Sequence, residues 1–174
     1  IVYNCPNSGI RVNNGDYVVI AHNQVYNSTW WSFNAESAIV IAQSKHIDDM
    51  TYKIKMRITH NKTYDNINKI PYFNKTYMNN GTCDGVTASS SRSDKYGCDV
   101  QDYIIDGSGC YITRNNSNGS GANDQNPNGQ YKGTFYFANN LSYGNGLNGL
   151  VVHKTNNAIV ANNTIYENGQ IPFE

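Results

Sequence analysis

Asn139-Asn140-Leu141-Ser142-Tyr143, then Gly149-Leu150-Val151-Val152, then Asn162-Asn163-Thr164-Ile165-Tyr166 contains one complete period of this chain. Asn140 and Asn163 are 23 residues apart, a spacing in the range of solenoid repeats. The same two signatures recur upstream. Gly9-Ile10-Arg11-Val12, Ala38-Ile39-Val40-Ile41 and Gly109-Cys110-Tyr111-Ile112 match the apolar one, and His22-Asn23-Gln24-Val25-Tyr26 and His60-Asn61-Lys62-Thr63-Tyr64 match the other. Asn23 to Asn61 is 38 residues and Asn61 to Asn140 is 79, so the longer spacings contain insertions.

Apolar residues alternate within each unit, and Asn and Gly interrupt them every few residues, which predicts short strands joined by tight bends. No stretch sustains an apolar period of 3.6, and the frequent Asn and Gly are poor helix formers. Strands stacked in parallel bring equivalent residues about 4.8 Å apart, so each aligned column becomes a ladder of like side chains. Ile10, Ile39, Cys110 and Leu150 form one expected inward ladder, and Val12, Ile41, Ile112 and Val152 the next. Asn23, Asn61, Asn140 and Asn163 form a polar column at a bend, where stacked amides satisfy one another and the turn backbone. Tyr26, Tyr64, Tyr143 and Tyr166 stack beside it. The expectation is an all-β, right-handed parallel β-helix of about four to five coils, one domain over 1–174 with a long insertion at 68–100. Its handedness follows the general preference of parallel crossovers.

The chain is 39% hydrophobic with a formal net charge of zero, which suits one soluble domain. It has no basic run to mark a nucleic-acid partner and no apolar stretch near the roughly 18 residues of a membrane span. Asn27, Asn61, Asn74, Asn80, Asn115, Asn118, Asn140 and Asn162 each begin an Asn-x-Ser/Thr glycosylation sequon. Asn74, Asn80, Asn115 and Asn118 are expected in insertions, whereas Asn61 and Asn140 sit in the bend column, where a glycan competes with the ladder. Occupancy of any of them makes the protein secreted. Cys83 and Cys98 bracket a Ser/Gly/Asp-rich excursion that a disulfide would close, although sequence does not fix connectivity. Cys110 falls on an inward ladder as a small hydrophobe, and Cys5 is either free or paired outside the chain.

Tyr26-Asn27-Ser28-Thr29-Trp30-Trp31-Ser32, Ser37-Ala38-Ile39-Val40-Ile41, Tyr52-Lys53-Ile54-Lys55-Met56-Arg57-Ile58, Asp106-Gly107-Ser108-Gly109 and Asn139-Asn140-Leu141-Ser142-Tyr143-Gly144-Asn145-Gly146 together resemble secreted right-handed parallel β-helix proteins of the pectate-lyase-like superfamily. A lyase of this type needs a cation, commonly calcium, to neutralise a uronate, and a Lys or Arg base. The candidates are Arg114 and Lys154, in one column, with Asp106 and His153, and Asp99, Asp102 and Asp106 as an acidic group for calcium. Three aspartates are few for an ion that takes six to eight oxygens, and the same residues also serve as turn and surface charges. No other cofactor is implied. Trp30, Trp31 and Tyr72 offer flat faces for sugar rings.

The repeat phase runs off both ends, with no initiating Met and no recognisable cap. The chain therefore reads as processed or excised, and its open strand edges as sites for a neighbour. The leading expectation is a structural extracellular glycoprotein module, stacking end to end into a fibre or forming part of a longer β-helix. The alternative is a polysaccharide-binding or polysaccharide-cleaving protein.

Overall fold

The computed structural model describes residues 1–32, 36–70, 107–117 and 125–170. These form thirteen strands and no helix: β1 (Val2–Tyr3), β2 (Ile10–Asn13), β3 (Val18–Ala21), β4 (Gln24–Tyr26), β5 (Ile39–Ala42), β6 (Ile54–Thr59), β7 (Lys62–Tyr64), β8 (Cys110–Thr113), β9 (Thr134–Ala138), β10 (Leu141–Tyr143), β11 (Leu150–His153), β12 (Ala158–Ala161) and β13 (Thr164–Tyr166). They pair in parallel as three sheets ordered β1-β4-β7-β10-β13, β11-β8-β5-β2 and β12-β9-β6-β3. This is the arrangement of a parallel β-helix or solenoid.

The registers match the sequence columns. Ile10 pairs with Ile39, Ile39 with Cys110 and Cys110 with Leu150, and two residues on Val12, Ile41, Ile112 and Val152 follow suit. The third sheet adds Val18, Met56, Phe135 and Ala158, then Ile20, Ile58, Phe137 and Val160. All three sheets turn these columns toward one core that includes Val25, Ile39, Ile41, Met56, Ile58, Cys110, Ile112, Phe135 and Phe137. The small residue opening each apolar signature has a steric cause. A Cβ at Gly109 would overlap the Ser142 and Thr63 hydroxyls, and one at Gly149 would overlap Ile165.

Left-handed residues turn the chain at each corner. Asn14, Gln43, Arg114 and Lys154 occupy the first corner, His22, His60, Asn139 and Asn162 the second, and Asn4, Asn27, Asp65, Gly144 and Glu167 the third, all with φ between +47° and +61°. Asn, Asp, His and Gly tolerate this region best, which explains most of those identities.

The residue after each second-corner turn carries the amide ladder. Asn23 donates from its backbone N–H and from Nδ2 to Asn61 Oδ1, Asn61 does the same to Asn140, and Asn140 to Asn163, at 2.9–3.1 Å. A second ladder runs through the third corner. The Ser28 N–H donates to Asn66 Oδ1, Asn66 to Asn145 and Asn145 to Asn168. Outside it, Tyr3, Tyr26, Tyr64, Tyr143 and Tyr166 stack nearly parallel with ring centroids 4.9–5.3 Å apart.

Candidate functional site

Two places outside the core gather polar and aromatic side chains. The first is a groove along the third corner. Asn4, Asn27 and Asp65 occupy successive left-handed positions there, and Trp30, Ile67 and Lys69 complete the lining of a cavity of about 440 Å³. The loop carrying Trp30 is pinned from both sides: the Thr29 N–H donates to the Cys5 and Asn7 carbonyls, the Trp31 N–H to Pro6, and the Lys69 N–H to the Trp30 carbonyl. Trp30 is half-buried with the exposed Trp31 edge-on against it, centroids 6.2 Å apart. One indole is thus held in place while the other reaches solvent. Tyr72 lies outside the described residues.

The second place is a charge cluster under the 43–53 loop. A β-bulge between Ile54 and Met56 inserts Lys55 into β6, and bulges re-aim side chains in this way. Lys55 Nζ donates to Asp48 Oδ1 at 2.6 Å and to Asp16 Oδ2 at 3.1 Å, with the Lys55 and Asp16 side chains fully buried. Tyr131 donates to the other Asp16 oxygen and Tyr17 to the other Asp48 oxygen, both at 2.6 Å. His46 stacks on Tyr131, its Nε2 accepts from the Lys132 N–H, and its Nδ1 lies 3.4 Å from Lys55 Nζ.

Burial opposes the charge on Lys55, but its bonds to Asp48 and Asp16 outweigh that and hold the ammonium pKa above its ordinary value. Burial likewise raises Asp16, while bonds from Tyr131, the Ile47 N–H and Lys55 bring the net shift below the carboxylate norm. Bonds from Lys55 and then Tyr17 bring Asp48 down to about 2. Burial, then the bond to Asp16, pushes the Tyr131 phenol up. Both carboxylates bond the single ammonium. The cluster therefore ties the 43–53 loop and Tyr131 to the first corner.

The lyase candidates are only partly brought together. Arg114 and Lys154 follow β8 and β11 in one column, half-buried and left-handed. His153 Nδ1 lies 3.2 Å from both Tyr111 Oη and Thr113 Oγ1. Asp99, Asp102 and Asp106 fall outside the described residues. Among the described residues, no three His, Cys, Asp or Glu side chains gather as metal ligands, and no helix is long and apolar enough to cross a membrane.

The sequons separate by burial. Asn27 and Asn162 are exposed corner residues. Asn61 and Asn140 are buried in the first ladder. Asn115 lies at the first corner and not in an insertion; it is buried, accepting from the Ser44 N–H and donating to Thr155 Oγ1. A glycan on any of these three would remove an amide hydrogen from a buried network. Asn74, Asn80, Asn118, Cys83 and Cys98 lie outside the described residues. Cys110 is buried and its thiol pKa is pushed up by desolvation, whereas Cys5 is half-buried and free.

Sequence reading missed the Lys55 cluster because Asp16, Asp48, Lys55 and Tyr131 share no local pattern. It also missed the second ladder, for which a signal existed: Ser28, Asn66, Asn145 and Asn168 each stand five residues after a member of the first. Comparison with protein-family models, curated proteins and solved structures finds no match.

Proposed function

We propose that this chain is a structural, extracellular β-helix module, right-handed and of about four to five coils, of the kind seen in pectate-lyase-like proteins, and that further β-helix adds to the edge formed by β11, β12 and β13. The observation carrying this reading is the exposure of core columns at that edge. Val152, Val160 and Ile165 are 37%, 50% and 44% exposed, whereas their neighbours one strand inward, Ile112, Phe137 and Ser142, are 0%, 3% and 1% exposed. Apolar strand edges of this kind pair readily.

The ladder supports the same direction of addition. From Asn23 to Asn140 every rung-to-rung bond donates toward β13, while other Nδ2 bonds reach carbonyls of the preceding level; among the described residues the Asn163 N–H has no partner and Asn23 Oδ1 receives no donor at the opposite edge. Donors at one edge and acceptors at the other suit a head-to-tail contact, which builds open filaments when it does not close. The strand count sets a condition on that contact. A copy that seats its β2 and β3 on β11 and β12 brings its β4 over β13, so its β1 must be displaced or two more strands must intervene.

Light scattering and negative-stain imaging across concentration test this reading. Concentration-dependent linear assemblies that Val160→Asp abolishes are expected, and a strictly monodisperse monomer overturns self-stacking. The sequons, with Asn27 and Asn162 exposed, support a secreted glycoprotein.

The Trp30 groove favours a second reading, a polysaccharide-binding or polysaccharide-cleaving protein. In that case incubation with uronate polymers yields unsaturated products, followed by ultraviolet absorbance, that Arg114→Ala abolishes.

A further inference from the structure

The loop leaving the third corner after β4 contains a residue that its own packing does not favour. Thr29 is fully buried, adopts φ +69°, and its Oγ1 has no hydrogen-bond partner among the described residues. A β-branched side chain is crowded in the left-handed region, where glycine or asparagine sits easily. An unpaired buried hydroxyl adds a desolvation cost. Local strain of this kind points to a role outside packing.

The sequence supplies such a role, because Thr29 is the third residue of the sequon Asn27-Ser28-Thr29. The residue that would be modified, Asn27, is exposed and lines the groove that also contains Asn4, Trp30, Asp65, Ile67 and Lys69. A threonine that stands against the demands of the fold is accounted for if its hydroxyl is read before folding.

We propose that Asn27 is an N-glycosylation site and that the core sugars of its glycan lie in this groove against Trp30; this rests on the secreted-glycoprotein reading above. In the transfer step Asn27 Nδ2 bonds to the anomeric carbon of a lipid-diphosphate-linked oligosaccharide. The bond from that carbon to the diphosphate oxygen breaks, the amide loses one proton, and the lipid diphosphate departs. Ser28 and Thr29 are both fully buried in the fold, so the step takes place on the unfolded chain.

After folding, the groove matches what the first sugars carry. The Trp30 face meets the C–H face of a pyranose, while Asp65 accepts hydroxyl protons and Asn4 and Lys69 donate to sugar oxygens. Its volume of about 440 Å³ lies within the range of roughly 300–1,000 Å³ usual for small-molecule sites. Attachment at the groove wall makes occupation intramolecular, so weak contacts suffice.

The test is to express the full chain through a glycosylating secretory pathway and release its glycans with an amidase in heavy-oxygen water, so that mass mapping marks every occupied Asn. Asn27 is expected to be marked. Thr29→Gly should lose that mark alone, while its unglycosylated form melts above the unglycosylated wild type. Tryptophan emission should differ between the glycosylated and unglycosylated wild type, and the difference should vanish in Trp30→Phe. A bare Asn27 beside an occupied Asn162 overturns the site and leaves the glycoprotein reading standing, whereas no occupancy at any sequon overturns both. An occupied Asn27 with an unchanged emission difference in Trp30→Phe overturns the groove contact.

Discussion

The amide ladder through Asn23, Asn61, Asn140 and Asn163 and the charge cluster around Lys55 both satisfy buried polar groups, but they are built in opposite ways. The ladder is neutral and periodic, and each rung bonds only the rungs beside it and the adjacent backbone. The cluster is charged and occurs once among the described residues, drawing Asp16, Asp48, Lys55 and Tyr131 from separate stretches of chain. A repeated fold can thus satisfy its corners with one residue type used again at every level, whereas an insertion that leaves the repeat needs a specific tie. Damage to the ladder should stay local, and damage to the cluster should release a loop.

Substitution of Lys55 breaks this comparison most severely. Lys55→Ala leaves the fully buried Asp16 without its cation, and stranding a buried charge costs roughly 3 kcal/mol or more. Chemical denaturation should show that loss, and native-state proteolysis should show early cleavage within residues 43–53. A cost below that of the ladder variant that follows would mean the cluster is a solvated surface network.

Asn140→Ala comes next. It removes the acceptor of the Asn61 N–H and Nδ2 and the donor to the Ile58 and Ala138 carbonyls, and an unsatisfied buried polar group of this kind costs about 2 kcal/mol. Hydrogen exchange should quicken at Asn61 and its neighbours and stay unchanged in the 43–53 loop. Exchange that quickens throughout would show that the ladder is one cooperative unit.

The smallest effect is on pH. Asp48 and Asp16 have folded pKa values below the ordinary 3.8, with Asp48 at about 2. Their contribution to stability is complete above the unfolded value; that of Asp48 is lost as pH falls from about 4 through 2, and that of Asp16 as pH falls below its ordinary range. Lys55, raised above 10.5, contributes below that value and loses its contribution as pH climbs past it. Thermal melts of Asn140→Ala should keep both flanks of the pH profile and those of Lys55→Ala should flatten them. Equal flanks in the two variants would place the titrating groups elsewhere.

Much of the fold was legible because in-register parallel stacking repeats one residue type at each level, which is how Ile39 beside Cys110 and Asn61 beside Asn140 could be read from an alignment of the chain with itself. The sheet of β3, β6, β9 and β12 was less legible. Met56, Phe135 and Ala158 share a column with Val18, yet they share little beyond apolar character, because the core at that level is filled by whichever volumes fit. Lys55 was illegible for a different reason. Alternation places it on the outer face between Ile54 and Met56, and only the 43–53 loop folding over it makes that face an interior. The Trp30 groove lies between these cases, since its aromatics and sequon stand together in the chain while Asp65 and Lys69 reach it from the next level.

Sequence by itself determined the columns: which residues face the core, where the first amide ladder runs, and that the strands stack in parallel, because each is a periodic property that one chain displays repeatedly. Tertiary structure alone decided the loop that closes over Lys55, the burial that separates Asn27 and Asn162 from Asn61, Asn115 and Asn140, and the exposure of Val152, Val160 and Ile165. Burial depends on what another segment places on top of a residue, and that neighbour leaves no mark in the residue's own stretch of chain.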